Sequence, residues 1–206
     1  MSSHEGIVVD AEDPDVLGKN LAVGARLLAS AVVFFFMAFV FAFFYLRALN
    51  SNHDFHPTHT NPPTGYGIAI LVCVLGSTVA FEVGRRSLED GRGSLWRAGS
   101  LVALVAGLAA LVLQGVEYYH LQFGADAGGL ASVFLGFTVV FALFWLGAVY
   151  WIETLWAQSL RQPTSAAGDI DAPSLVLRPS ADACAIYLYV MVLVELFAFV
   201  LLYLVK

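Results

Sequence analysis

Long apolar runs separated by short polar segments organise this chain. Five runs, at about 21–46, 66–84, 97–117, 131–156 and 184–205, reach or approach the roughly 20 residues that a helix needs to cross a hydrocarbon core of about 30 Å. The first is the longest and has room to tilt, or to begin as an interfacial turn before Arg26. Its stretch from Phe34-Phe35-Phe36 to Phe43-Phe44-Tyr45 is apolar all round rather than amphipathic. Gly76, Ser77 and Thr78 interrupt the second run, but small and hydroxylated residues are common where membrane helices pack closely. The pattern predicts an all-α integral membrane protein built as a bundle of five transmembrane helices. An acidic cytoplasmic tail over 1–20 precedes a single membrane domain over 21–206.

Positive charge sets the expected orientation, because loops rich in Lys and Arg stay in the cytoplasm. With five spans, the side of the N-terminus and loops two and four holds Lys19, Arg26, Arg85, Arg86, Arg92, Arg97, Arg161 and Arg178, against Arg47 and Lys206 opposite. The expectation is N-in and C-out. Loop one, about 47–65, then lies outside with His53, His56 and His59. Pro57 and Asn61-Pro62-Pro63 favour an extended loop there over a fixed metal cage. Loop four, 157–183, is rich in Pro, Ser, Ala and Asp and reads as an irregular linker.

Composition narrows the classes further. Of 206 residues, 59% are hydrophobic and 13% charged, far from the balance of a soluble domain. The net charge of −6 comes largely from Glu5, Asp10, Glu12, Asp13 and Asp15, which argues against a secretory signal peptide with its basic first region. No basic stripe is present, so no nucleic acid partner is expected. Cys73 and Cys184 lie within or beside apolar runs and suggest neither a disulfide framework nor a metal cluster. Walker, Rossmann and nucleophile-elbow motifs are missing. With histidines only at 4, 53, 56, 59 and 120, no predicted span carries an axial ligand at depth, so no haem or copper is expected in the chain itself.

The candidate chemistry lies on the third and fifth helices. Gly99, Ala103 and Gly107 recur at helical spacing and allow another backbone to approach that face. Gln114 lies almost two turns beyond Gly107 on the same side, with Glu117 and His120 following, a polar ladder rising to the outer surface. Two readings stand: a proton-linked or subunit-contacting site, and a hydrogen-bonded helix end near the interface. Glu195, between Val194 and Leu196 near the middle of the last span, costs about 2.5–3.5 kcal/mol to insert unless protonated or paired, so it should face a helix or partner subunit. Its readings are proton handling and a neutral packing carboxyl. Glu82 and Glu153 sit near cytoplasmic helix ends, within reach of water or of Arg85, Arg86 and Arg161, as anchors or local ion pairs.

These residues resemble subunit III of the haem–copper terminal oxidases in its shorter five-helix bacterial form. Gln114, Glu117 and Tyr118 match the family's Gln, Glu and aromatic at the end of helix three. Ser77-Thr78, the turn from Arg85 to Arg97, Ser132-Val133-Phe134 with Thr138, and the ending Tyr203-Leu204-Val205-Lys206 add to the likeness, which runs from about residue 24. Three family signatures are replaced. Ala31 or an apolar neighbour stands for a membrane Glu, Val139 to Phe144 for Gly-Phe-His-Gly-x-His, and Leu188 to Val192 for Trp-His-Phe-x-Asp.

The resemblance implies a non-catalytic accessory subunit of a respiratory oxidase in the bacterial cytoplasmic (inner) membrane. Its partners would be the catalytic haem–copper subunit I, subunit II and membrane lipids. It implies haem and copper in those partners, bound phospholipid in a cleft between helices, and support for proton uptake. The alternatives are an accessory subunit of a diverged respiratory complex, such as a nitric oxide reductase or a quinol-dependent assembly, and a small proton channel or transporter using Glu195 and Glu117 as relay groups.

Overall fold

The computed structural model describes residues 14–50, 55–57, 60–162 and 177–205. Five long helices, α1 (Pro14–Ala48), α2 (Thr64–Glu89), α3 (Gly93–His120), α4 (Gly129–Leu160) and α5 (Leu177–Phe199), account for nearly all of them, and α5 continues into a π-helical turn over Val200–Val205. All five are long and apolar enough to span a membrane. Among the described residues there is no strand, so the chain is an all-α membrane bundle.

Each helix outruns the apolar run that predicts it. Backbone hydrogen bonding extends favourably into the headgroup zone, where polar side chains are solvated while the ladder stays closed. The tail expected over 1–20 is helical from Pro14, whose fixed φ and missing N–H suit a first helical turn. No separate interfacial turn precedes Arg26. Loop four is shorter than 157–183, because α4 runs to Leu160 and α5 starts at Leu177. Burial of Leu177, Ala181 and Ala183 draws that segment into the helix, and Pro179 is tolerated in its first turn. His120 becomes the last residue of α3 instead of a loop residue.

The helices close a ring in the order α1, α5, α2, α3, α4, with α4 also touching α5 across the middle. Gly91, at φ 79°, makes the tight turn between α2 and α3 in a backbone region that favours glycine. Helix α1 lies at the rim: Ala25, Ala29, Val32, Phe36 and Phe43 face the bundle at helical spacing, while Phe34 and Phe41 remain 78% and 70% exposed. Loop one is partly anchored. Phe55 packs edge-on against Phe43 at 5.3 Å, and its carbonyl accepts from the Leu130 N–H at 2.8 Å.

Arginines mark one end of the bundle. Arg85 pairs with Glu82, Glu89 and Asp182 at 2.8, 2.7 and 2.6 Å, and Arg86 with Glu82 at 2.7 Å. Arg178 donates to the Leu88 carbonyl at 3.2 Å, and Arg97 to that of Ser159 at 2.8 Å. Glu82 is thus a local ion-pair centre, whereas Glu153 is exposed. At the opposite end Arg47 donates to the Val205 carbonyl at 3.2 Å.

Candidate functional site

The inward face of α3 reads Trp96, Ser100, Ala103, Gly107, Ala110, Gln114, Glu117, a stripe of mostly small residues that ends in two polar ones. Gly99 flanks it. A Cβ on Gly99 would lie 2.8 Å from the Gly84 Cα of α2, so the two backbones meet there. One turn on, Ser77 Oγ donates to the Ala103 carbonyl at 2.7 Å. At Gly107 a Cβ would lie 2.9 Å from Val149 of α4, and Trp145 Nε1 donates to the Gly107 carbonyl at 3.0 Å. The stripe therefore holds α2 on one flank and α4 on the other. Gly76 plays no such part; a Cβ there would meet nothing within 4 Å.

Above the stripe, Gln114 and Glu117 are 5% and 0% exposed. Gln114 Nε2 donates to Glu117 Oε2 at 2.7 Å, one turn along the same helix. The other oxygen, Oε1, accepts from the Tyr203 hydroxyl at 2.6 Å. Tyr203 comes from the π-helical turn that ends α5, so one carboxyl joins α3 to the end of the last helix. Gly67 of α2 makes this reach feasible: a Cβ there would lie 2.6 Å from the Tyr203 ring. Phe134 of α4 closes the site edge-on to the same ring at 5.7 Å.

Glu195 lies on the buried face of α5, 6% exposed, within electrostatic reach of Glu117. Two of the predicted site residues, Gln114 and Glu117, are thus in contact, and Glu195 joins their neighbourhood from another helix. The three small residues lie lower on α3. His120 leaves the expected ladder: it is exposed, bonds to the Val116 carbonyl at 2.8 Å and stacks on Tyr66 at 5.5 Å. Tyr203 is the partner that sequence reading missed. A Tyr near the end of a span signals an interfacial anchor, and nothing local shows that it turns inward.

The arrangement holds a carboxyl inside the bundle and ties α3 to the end of α5. It offers no nucleophile with an adjacent base. Among the described residues no group of three or more His, Cys, Asp or Glu could hold a metal. His56 bonds to Asn61 Oδ1 at 3.2 Å, while His53 and His59 lie outside the described residues. Cys73 and Cys184 are free thiols.

No protein-family model matches the sequence. The chain is 28% identical over 125 residues to cytochrome c oxidase subunit 3 of Mus musculus, an alignment covering 58% of this chain and 48% of the mouse protein. The same figures hold for cytochrome c oxidase subunit 3 of Rattus norvegicus. The chain spans about half the length of the curated relatives it matches. It is a multi-pass membrane protein with partial similarity to oxidase subunit 3.

Proposed function

We propose that this chain is a non-catalytic accessory subunit of a respiratory haem–copper oxidase. The similarity to cytochrome c oxidase subunit 3 carries the reading, and it lies on a bundle of five membrane-type helices. In this role the chain stabilises the catalytic subunit, which reduces oxygen and translocates protons, and supports its proton uptake. Haem and copper belong to the partners, subunits I and II. The chain forms one membrane domain behind its acidic tail, in the bacterial inner membrane, N-in and C-out, with the arginine-rich end in the cytoplasm.

The stripe of Gly99, Ala103 and Gly107 keeps α2, α3 and α4 rigid, and Gln114 and Glu117 fasten the outer end. A shallow apolar groove of about 130 Å³ between α1 and α5, lined by Val33, Phe36, Met37, Leu193 and Phe197, suits a phospholipid acyl chain.

One observation favours a diverged respiratory complex, such as a nitric oxide reductase, as the host. In the stretch that stands for the family's His-bearing signature, Phe141 and Phe144 pack against Phe36 of α1, with ring centroids 6.4 and 5.6 Å away. A polar signature has become an apolar helix joint, as expected where the host no longer needs it.

One experiment tests both readings: gentle extraction of the tagged chain, mass spectrometry of what copurifies, and a reduced-minus-oxidised haem spectrum. Haem bands with an oxygen-reducing catalytic subunit support the first reading, and a nitric oxide reductase subunit supports the second. A colourless, partner-free chain overturns both.

A further inference from the structure

Two consecutive arginines on α2 use their guanidinium groups differently. Arg85 spends every nitrogen: Nε and one terminal nitrogen donate to Glu82 at 2.8 and 2.9 Å, and the other donates to Glu89 and Asp182 at 2.7 and 2.6 Å. Arg86 bonds through Nε alone, to Glu82 at 2.7 Å, and its side chain is 72% exposed. Among the described residues nothing meets its two terminal nitrogens, a planar fork that suits a phosphate. Glu89, nearly one turn further on and 57% exposed, gives only Oε1 to Arg85.

Arg86 is the last α2 residue along a groove of about 270 Å³ between α2 and α5, lined by Thr78, Val79, Glu82, Val83, Arg86 and Tyr189. Val79 and Val83 are 61% and 60% exposed, and their spacing of four and then three residues puts them on the same face of α2 as Arg86. Over about 10 Å of helix the surface therefore passes from bare valine to free N–H donors, and it does so at the arginine-marked end of a membrane-type helix. That order is the order of a phospholipid, with the acyl chain at depth and the phosphodiester above it. A free phosphate would use the fork and leave the valines bare.

The charges around the fork select the headgroup. Glu82, Glu89 and Asp182 stand against Arg85, Arg86 and Arg178, and Asp90 against Arg92, so the cluster is already balanced. An anionic headgroup would add a charge with nothing to neutralise it, whereas a zwitterionic one leaves the balance intact. A primary ammonium also finds an acceptor, because Glu89 lies three residues past Arg86 and so about 5–6 Å away on the same helix surface. We propose that the groove between α2 and α5 holds one phosphatidylethanolamine, with its phosphodiester on the terminal nitrogens of Arg86, its ammonium on Glu89 and an acyl chain along Val83 and Val79. The site lies on the other flank of α5 from the groove against α1. It rests on the outer surface of the bundle and not on the oxidase reading, so partner capture and the following test fail independently.

The test adds phosphatidylethanolamine carrying a photoactivatable diazirine in one acyl chain to native membranes that contain the tagged full chain. After irradiation and purification, tandem mass spectrometry locates the adducts. They are expected at Val79 and Val83, with about tenfold less labelling in Arg86→Gln, the worth of a hydrogen bond to a charged group, and none of that loss in Arg92→Gln. Arg86→Lys keeps the charge without the fork; it should fall in between, and it replaces the Gln variant if that one does not insert. Unlabelled phosphatidylethanolamine should compete better than phosphatidylglycerol, and Glu89→Gln should abolish the difference. No adduct on these valines, as when a partner helix covers the groove, overturns the site. Unchanged labelling in Arg86→Gln overturns the phosphate contact, and equal competition by the two lipids in the unmutated chain overturns the ammonium contact.

Discussion

Ser77 Oγ on α2 donates to the main-chain carbonyl of Ala103 on α3 across 2.7 Å, at a point where both residues are 0% exposed. A side chain thus bonds a backbone acceptor that already serves its own helix, which is feasible only where the two helices nearly touch. Ser77→Ala should cost about 0.5–1.5 kcal/mol, the net worth of such a bond. Ser77→Val should cost more, because a Gly107 Cβ position lies only 3.4 Å from Ser77 Oγ and the space is full. Thermal unfolding of the purified variants in one detergent gives both numbers.

Two glycines make a matched contrast. Gly99→Ala would put a methyl 2.8 Å from the Gly84 Cα, backbone that cannot swing aside, and should destabilise by about 1–3 kcal/mol. Gly76→Ala would meet nothing within 4 Å and should stabilise by about 0.5–1 kcal/mol, the usual gain in a helix interior. Opposite shifts in melting temperature are expected; equal shifts would refute the assignment of the tight face.

Tyr203→Phe removes one of the two donors to Glu117 and leaves a buried acceptor short, a loss of about 1–3 kcal/mol. Gly67→Ala should imitate it without touching either partner, since the new methyl would occupy the place of the Tyr203 ring, 2.6 Å away. Combining the two should cost little more than the worse single variant. Additive losses in a double-mutant cycle would show that Gly67 acts elsewhere.

Arg85 reaches Glu82, whose side chain is 15% exposed, and Asp182, which is 56% exposed. Asp182→Asn should therefore change stability by less than about 1 kcal/mol, an effect that fades as salt is added. Arg85→Gln should cost more and respond less to salt, because it leaves the mostly buried Glu82 with Arg86 as its remaining arginine partner. Melting curves at low and high ionic strength separate the two.

The proposed orientation has a direct check. A cysteine at Asp90, in the α2–α3 turn, should be protected from a membrane-impermeant maleimide in intact cells, and one at Asp126 should be labelled. Cys73 and Cys184 are first replaced by Ser and Ala. The reverse pattern would invert the topology.

Helix number and class were legible because bilayer thickness imposes a length that apolar runs reveal directly. Helix ends were less so. The polar flanks from Arg85 to Glu89 and Arg178 to Ala183 look like loop until Arg85 is seen to pair with Asp182 and Arg178 to reach the Leu88 carbonyl, contacts that arise only once helices are adjacent. Gln114 and Glu117 stand out as polar residues ending an apolar run. Their partner does not, since 86 residues separate Tyr203 from Glu117. Nor could spacing along α5 show Glu195 near Glu117, because the residues one turn away, Met191, Val192, Ala198 and Phe199, are all apolar and the polar neighbours belong to other helices.

The final turn of α5 closes its hydrogen bonds five residues back instead of four, the mark of one residue more than an α-helix needs. An alanine inserted into α5 ahead of this turn should rotate everything beyond it by about 100°. Leu201, Leu202 and Tyr203 are all buried, and the rotation would carry Tyr203 off Glu117 while leaving the composition of the span almost unchanged. The end of α5 is thus keyed like a lock tumbler: the number of residues ahead of Tyr203, and not their hydrophobicity, decides whether the carboxyl of α3 meets its donor.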